Sequence, residues 1–183
     1  MDIEMNIVIA IESTEHLLAA GVVAHALRGV AIENVSFRFL KNHEALTPLA
    51  DLCGLSRFSQ VGVKSAPDLL FTFSDSTVAA TTIIAKRKAI YFRRATDKEI
   101  ELNQDDICFV TDTTSAHTLK HAKRNHIHLT GAIEIEIPAF YDGKAQIEEH
   151  IKGMQQSTYS GDGLASVRIA EILKHTLSPE PGT

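Results

Sequence analysis

Asp75 lies in the tripeptide Ser74-Asp75-Ser76, immediately after the apolar run Asp68–Phe73. A carboxylate at the end of such a run can serve as a general base or accept a hydrogen bond from a substrate hydroxyl. It can equally cap a helix, a role that Ser- and Asp-rich turns fill constantly. Ser13, Thr14 and Glu15, after the run Met5–Ile11, carry the same two possibilities. Arg93-Arg94 follows another apolar segment. Guanidinium groups at the carboxyl end of a parallel strand suit a carboxylate or a phosphate. The only basic cluster, Lys120–His128, can hold a phosphate or answer the negative end of a helix. His126 and His128 are spaced for one face of a strand, but no third ligand stands at metal spacing, so no metal is expected. His16, His25 and His43 are scattered and read as structural.

These residues sit where strands turn into helices. Asp68–Phe73, rich in Leu and Phe, reads as a strand buried on both faces. Thr77–Arg87 reads as a helix with basic residues at its negative end, and Ala89–Arg93 as the next strand. That makes one βαβ unit, whose first turn is where open α/β sheets bind ligands. The same alternation runs along the chain. Strands are expected at Met5–Ile11, Val35–Leu40, Asp106–Val110 and Ile127–Thr130, with a short one at Phe58–Val63. Helices are expected at Glu15–Arg28, Glu44–Cys53, Thr113–Lys123 and Lys144–Met154. Ile133–Ile137 alternates at period two, as a half-exposed strand or extended crossing segment would. A last helix opens at Gly161-Asp162-Gly163 and runs to about His175, with Leu164, Val167, Ile169, Ile172 and Leu173 suited to packing. The pattern predicts a single Rossmann-like domain over residues 1–177, a doubly wound parallel sheet with helices on both faces, followed by a disordered tail at 178–183.

Composition narrows the function classes. The chain has 183 residues, enough for one domain with a real core. A net charge of -5 argues against a general nucleic-acid binder. No apolar run approaches the ~20 residues of a membrane span, and the start, MDIEMN, is unlike a signal peptide. Cys53 and Cys108 lie far apart in apolar settings, as buried thiols of a reducing, cytoplasmic compartment would. The first strand-to-helix turn has no glycine, and the chain has no GxxxxGK[ST] loop or GxSxG elbow. NAD, FAD and NTPase-type phosphate binding are therefore not expected, nor is any other cofactor.

Taken together, the residues resemble the UDP-N-acetylglucosamine 2-epimerases, which share the two-lobed GT-B fold with many glycosyltransferases. PDLLFTFSDSTVAATTIIAKRKAIYFRRA follows the family phrase around its Pro-Asp and Asp positions. LKNHEALTPLADLCGL is similar to the TGQH segment and places His43 on the motif histidine. HIHLTGAIEIE resembles the closing phrase of the N-terminal lobe, and YSGDGLASVRIAEIL resembles YGDGxAxxRIxxxL near the family's C-terminus. Only about thirty residues separate these last two, where the family has a second lobe. The resemblance therefore implies one lobe plus the returning helix that packs on it.

It also implies a site, with Asp75 as the retained acidic catalytic position. Ser13, Thr14, His43, Ser74, Ser76, Arg93 and Arg94 would contact substrate. Three departures weigh against self-sufficient epimerisation. Glu12-Ser13-Thr14 stands for the family's GTR, Arg93 for the glutamate of HVEAG, and Ala132 for the asparagine of TGN. Three expectations follow. The chain is half of a split nucleotide-sugar enzyme for surface polysaccharide synthesis, binding a UDP-sugar with a separate lobe. It is a non-catalytic module for an anionic small molecule or a protein partner. Or it is a homodimer with a new cleft. The first predicts an exposed apolar patch along the carboxyl edge of the sheet.

Overall fold

The structure is a computed structural model, and it describes residues 5–55, 66–74, 84–92, 106–112, 126–152 and 161–177. Among these residues six strands form one sheet: β1 (Ile7–Ile11), β2 (Val35–Phe39), β3 (Leu69–Phe73), β4 (Arg87–Phe92), β5 (Ile107–Val110) and β6 (Ile127–Leu129). Their order is β2-β1-β3-β4-β5-β6, and every pairing is parallel. The single Rossmann-like α/β sheet expected from the alternation is present. Residues 75–83 and 113–125, which include most of two expected helices, lie outside the described residues. So do Phe58–Val63 and the tail at 178–183.

Two-sided burial explains the apolar runs. Ile7, Ile9, Ile11, Leu69, Phe71, Tyr91, Ile107 and Phe109 belong to one core. It also takes in the inner faces of α1 (Thr14–Gly29), α2 (His43–Leu52), α3 (Ile137–Phe140), α4 (Ala145–Lys152) and α5 (Ala165–Leu177). The intervening residues Val8, Ala10 and Leu70, and Ile90, Phe92, Cys108 and Val110, are buried on the opposite face. Thr72, on that second face, is the one buried side-chain hydroxyl without a hydrogen-bond partner among the described residues.

Three details differ from the sequence pattern. Arg87, expected to end a helix, instead opens β4, paired with Leu69. Ile133–Ile137 is not extended: Ile133–Ile135 forms a 3-10 turn and α3 begins at Ile137. The cause is tertiary. Glu134 turns inward, where Tyr91 Oη donates to its carboxylate and accepts from Ile133 N–H. Finally, α5 packs through Ala165, Ser166, Ile169, Ala170 and Leu173, leaving Leu164 and Val167 exposed. Small residues at its start let the helix lie close to α1, its principal helical neighbour. Burying Ile169 and Leu173 contributes roughly 1.5–3 kcal/mol each.

Gly21, inside α1, makes room for Tyr141. The Tyr141 hydroxyl donates to Leu18 O at 2.6 Å, and a Cβ on Gly21 would overlap it outright. Helix propensity alone would make Gly21→Ala stabilising by roughly 0.8–1 kcal/mol. The overlap reverses the sign: urea denaturation should show a loss of about 1–3 kcal/mol. Introducing Tyr141→Phe beside it should recover part of that loss. A stabilised Gly21→Ala protein would contradict this packing.

Candidate functional site

The strand order reverses between β1 and β3, since β2 lies on one side of β1 and β3 on the other. In open parallel sheets ligands bind outside the carboxyl ends of the strands at such a point. Continuing the β1–β3 register places Glu12 level with Ser74. Ser13 and Thr14 open α1 on the same edge, so three expected site residues, Ser13, Thr14 and Ser74, come together. His43 opens α2 after β2 on that edge too, one strand further out. Asp75, Ser76, Arg93 and Arg94 lie outside the described residues.

Local chemistry fixes these turns. Ser13 is the N-cap of α1, its Oγ accepting from His16 N–H at 3.3 Å. The His16 ring stacks on Phe73 at 4.3 Å, and its Nδ1 accepts from Glu12 N–H. The proton of a neutral His16 therefore sits on Nε2. Glu12 is buried, yet its carboxylate meets Lys41 Nζ at 2.9 Å. Asn42, in the left-handed conformation at φ 60°, sends its amide to Glu12 O. The turns after β1 and β2 are thus tied by one ion pair and one hydrogen bond. His43 is exposed, with its ring edge-on to Phe39. Ser74 is half-buried, and its N–H is taken by Tyr91 O.

Glu12 and Lys41 were not among the expected site residues. Sequence could have flagged Glu12, a carboxylate directly after a run buried on both faces, but its partner Lys41, far along the chain, carries no spacing signal. Glu134 was hidden by the period-two pattern.

A second feature of this edge is an open cleft of about 430 Å³ beyond β5 and β6, lined by Thr111, Asp112, Leu129, Thr130, Asp162 and Arg168 among others. Its far wall is the GDG segment. Arg168 forms a fork on Asp162 and also donates to Thr130 O at 3.0 Å. Gly161 has φ 155° and approaches closely enough that a Cβ would lie 3.2 Å from Ala132 N. The positive φ favours glycine, and the approach leaves little room for a side chain. Glu136 accepts from Ser166 N–H and Oγ, placing a carboxylate at the positive end of α5. The motif that reads as a signature thus anchors the returning helix to the loop after β6.

His128 faces the Phe109 ring, and its pKa is lowered first by burial and then by the neighbouring His126. Among the described residues, no three His, Cys, Asp or Glu side chains cluster closely enough to hold a metal ion, and no helix is long and apolar enough to cross a membrane. No protein-family model matches the chain, and no curated protein does.

The fork from Arg168 holds the Asp162 carboxyl down at about 2, below its ordinary 3.8. A depressed carboxylate contributes stability that is fully present above its unfolded-state pKa and is lost as pH falls through the folded value. Wild type should therefore lose its advantage over Asp162→Asn between about pH 4 and pH 2. Urea denaturation at pH 6, 3 and 2 measures this. A stability difference that stays constant over that window would rule the linkage out.

Proposed function

We propose that this chain is one lobe of a split nucleotide-sugar enzyme, of the epimerase or glycosyltransferase type, whose site is completed by a second chain. The observation that carries the reading is an exposed apolar side chain at the carboxyl-edge cleft: Leu129, which lines it, is 52% exposed. Leu164 and Val167, near the lining residues Asp162 and Arg168 in sequence, are exposed as well. Exposed apolar surface of this kind suits a docking face. Ser13, Thr14 and Ser74 would offer hydroxyls to a sugar or phosphate at the switch point, and Asp75 would supply the acid–base group. The second lobe would close over the edge, bringing the rest of the nucleotide contacts and excluding water.

A second reading is favoured by Glu12. Its buried carboxylate, paired with Lys41, occupies the turn where the resembled family carries GTR. A site rebuilt in this way suits a binding module that kept the fold and lost the chemistry.

Isothermal titration with UDP and UDP-N-acetylglucosamine, with light scattering on the same sample, tests the proposal. A half-site in a monomer should bind UDP-N-acetylglucosamine with a Kd of about a millimolar, about -4 kcal/mol. A micromolar Kd in a monomer would contradict the split arrangement. Absence of any heat from either ligand at ~10 mM, where millimolar sites saturate, would overturn the nucleotide reading and leave the rebuilt module.

A further inference from the structure

The β1–β2 register runs to Ile11↔Phe39 and the β3–β4 register to Phe73↔Tyr91, reaching the last residue of β1 and of β3. Between β1 and β3 the pairing stops earlier, at Ile9↔Phe71. Thr72, whose buried hydroxyl has no hydrogen-bond partner among the described residues, lies in the stretch where these two strands no longer pair. Strands that part at a switch point leave the crevice in which open α/β sheets bind ligands. One side chain spans the gap. His16, in the first turn of α1 and only 2% exposed, stacks its ring on Phe73, with centroids 4.3 Å apart and the planes within 10° of parallel. Nδ1 of the same ring accepts from Glu12 N–H at 3.3 Å. We infer that His16 is a positioning residue for the switch-point site: its ring sets how the turn carrying Ser13 and Thr14 stands relative to the turn carrying Ser74.

The competing explanation is a helix cap and nothing more. A side chain in the first turn that reaches back to a free N–H is half of a capping box, and Ser13 Oγ, accepting from His16 N–H, is the other half. A cap needs only an acceptor, which Glu or Gln supplies at that place without a ring. Capping does not account for a buried imidazole stacked on the last residue of another strand. The two turns are also anchored outward, away from each other: Glu12 pairs with Lys41, just past β2, and Ser74 N–H is taken by Tyr91 O on β4. His16 ties them to each other across the gap. The inference rests on the nucleotide-sugar reading only for the identity of the ligand.

Two substitutions separate the two contacts. His16→Asn keeps an acceptor where Nδ1 stands and removes the ring, whereas His16→Phe keeps a ring and removes the acceptor. Residual dipolar couplings of the backbone amides, measured on the full chain without ligand, report orientation and are blind to ring currents. His16→Asn should leave the coupling at Glu12 and change that at Ser74; His16→Phe should do the reverse. Titration with UDP-N-acetylglucosamine should then show each variant binding about threefold or more weakly than wild type, the loss expected when residues of one contact network are uncoupled. A cap alone predicts that His16→Asn matches wild type, so an unchanged coupling at Ser74 overturns the proposal. Unchanged affinity in both variants of a protein that binds overturns it as well. If wild type shows no saturable binding, the nucleotide-sugar reading falls, and the couplings of the unliganded variants still decide on His16. If His16→Phe does not fold, His16→Asn decides alone.

Discussion

Burial of a parallel sheet on both faces is the constraint on which the rest of this molecule depends. With Ile7, Ile9 and Ile11 in one core and Val8 and Ala10 in another, β1 has no side on which to present a polar group. The same holds for β3 and β5. Chemistry is confined to the strand ends, and the parallel arrangement collects the carboxyl-terminal turns at a single edge. The strand order then selects one place on that edge, between β1 and β3, where neighbouring turns lead away in opposite directions. Ser13 and Ser74 meet there because of topology, not because of sequence proximity.

The turns themselves are held by a few polar contacts, each spanning two elements. Glu12–Lys41 and Asn42–Glu12 O join the first two turns, and Ser74 N–H to Tyr91 O joins the third to β4. Tyr91 in turn holds the inward-facing Glu134, and Glu136, two residues on, holds the start of α5. Arg168 closes the circuit by returning from α5 to Thr130 O. The last helix is thus tied to the carboxyl edge as well as packed on α1, and it supports both the core and the shape of the cleft.

Much of this was legible in the sequence, for a physical reason: fully buried parallel strands leave continuous apolar runs, and capped helices leave polar punctuation. Val35–Phe39, Ile107–Val110 and the Ser13 cap all followed from such local signals. The failures share a cause. Ile133–Ile137 alternates like a strand, but Glu134 is drawn inward by a tyrosine more than forty residues away. Leu164 and Val167 have helical spacing for a packing face, yet the close approach to α1 is made through Ala165, Ser166 and Ala170 instead. The Glu12–Lys41 pair is equally non-local. Period and composition report what one segment prefers, whereas these outcomes were decided by partners far along the chain.

The proposal that a nucleotide sugar binds at the carboxyl edge, at the β1/β3 switch point, is tested most directly by residue-resolved mapping of amide shifts as UDP-N-acetylglucosamine is added to the full chain. The account predicts that the amides of Ser13, Thr14 and Ser74 shift together and saturably, with those of β5 and β6 turn residues Thr111 and Thr130 following. Shifts confined to the opposite ends of the strands, or no saturable shift anywhere, would contradict it.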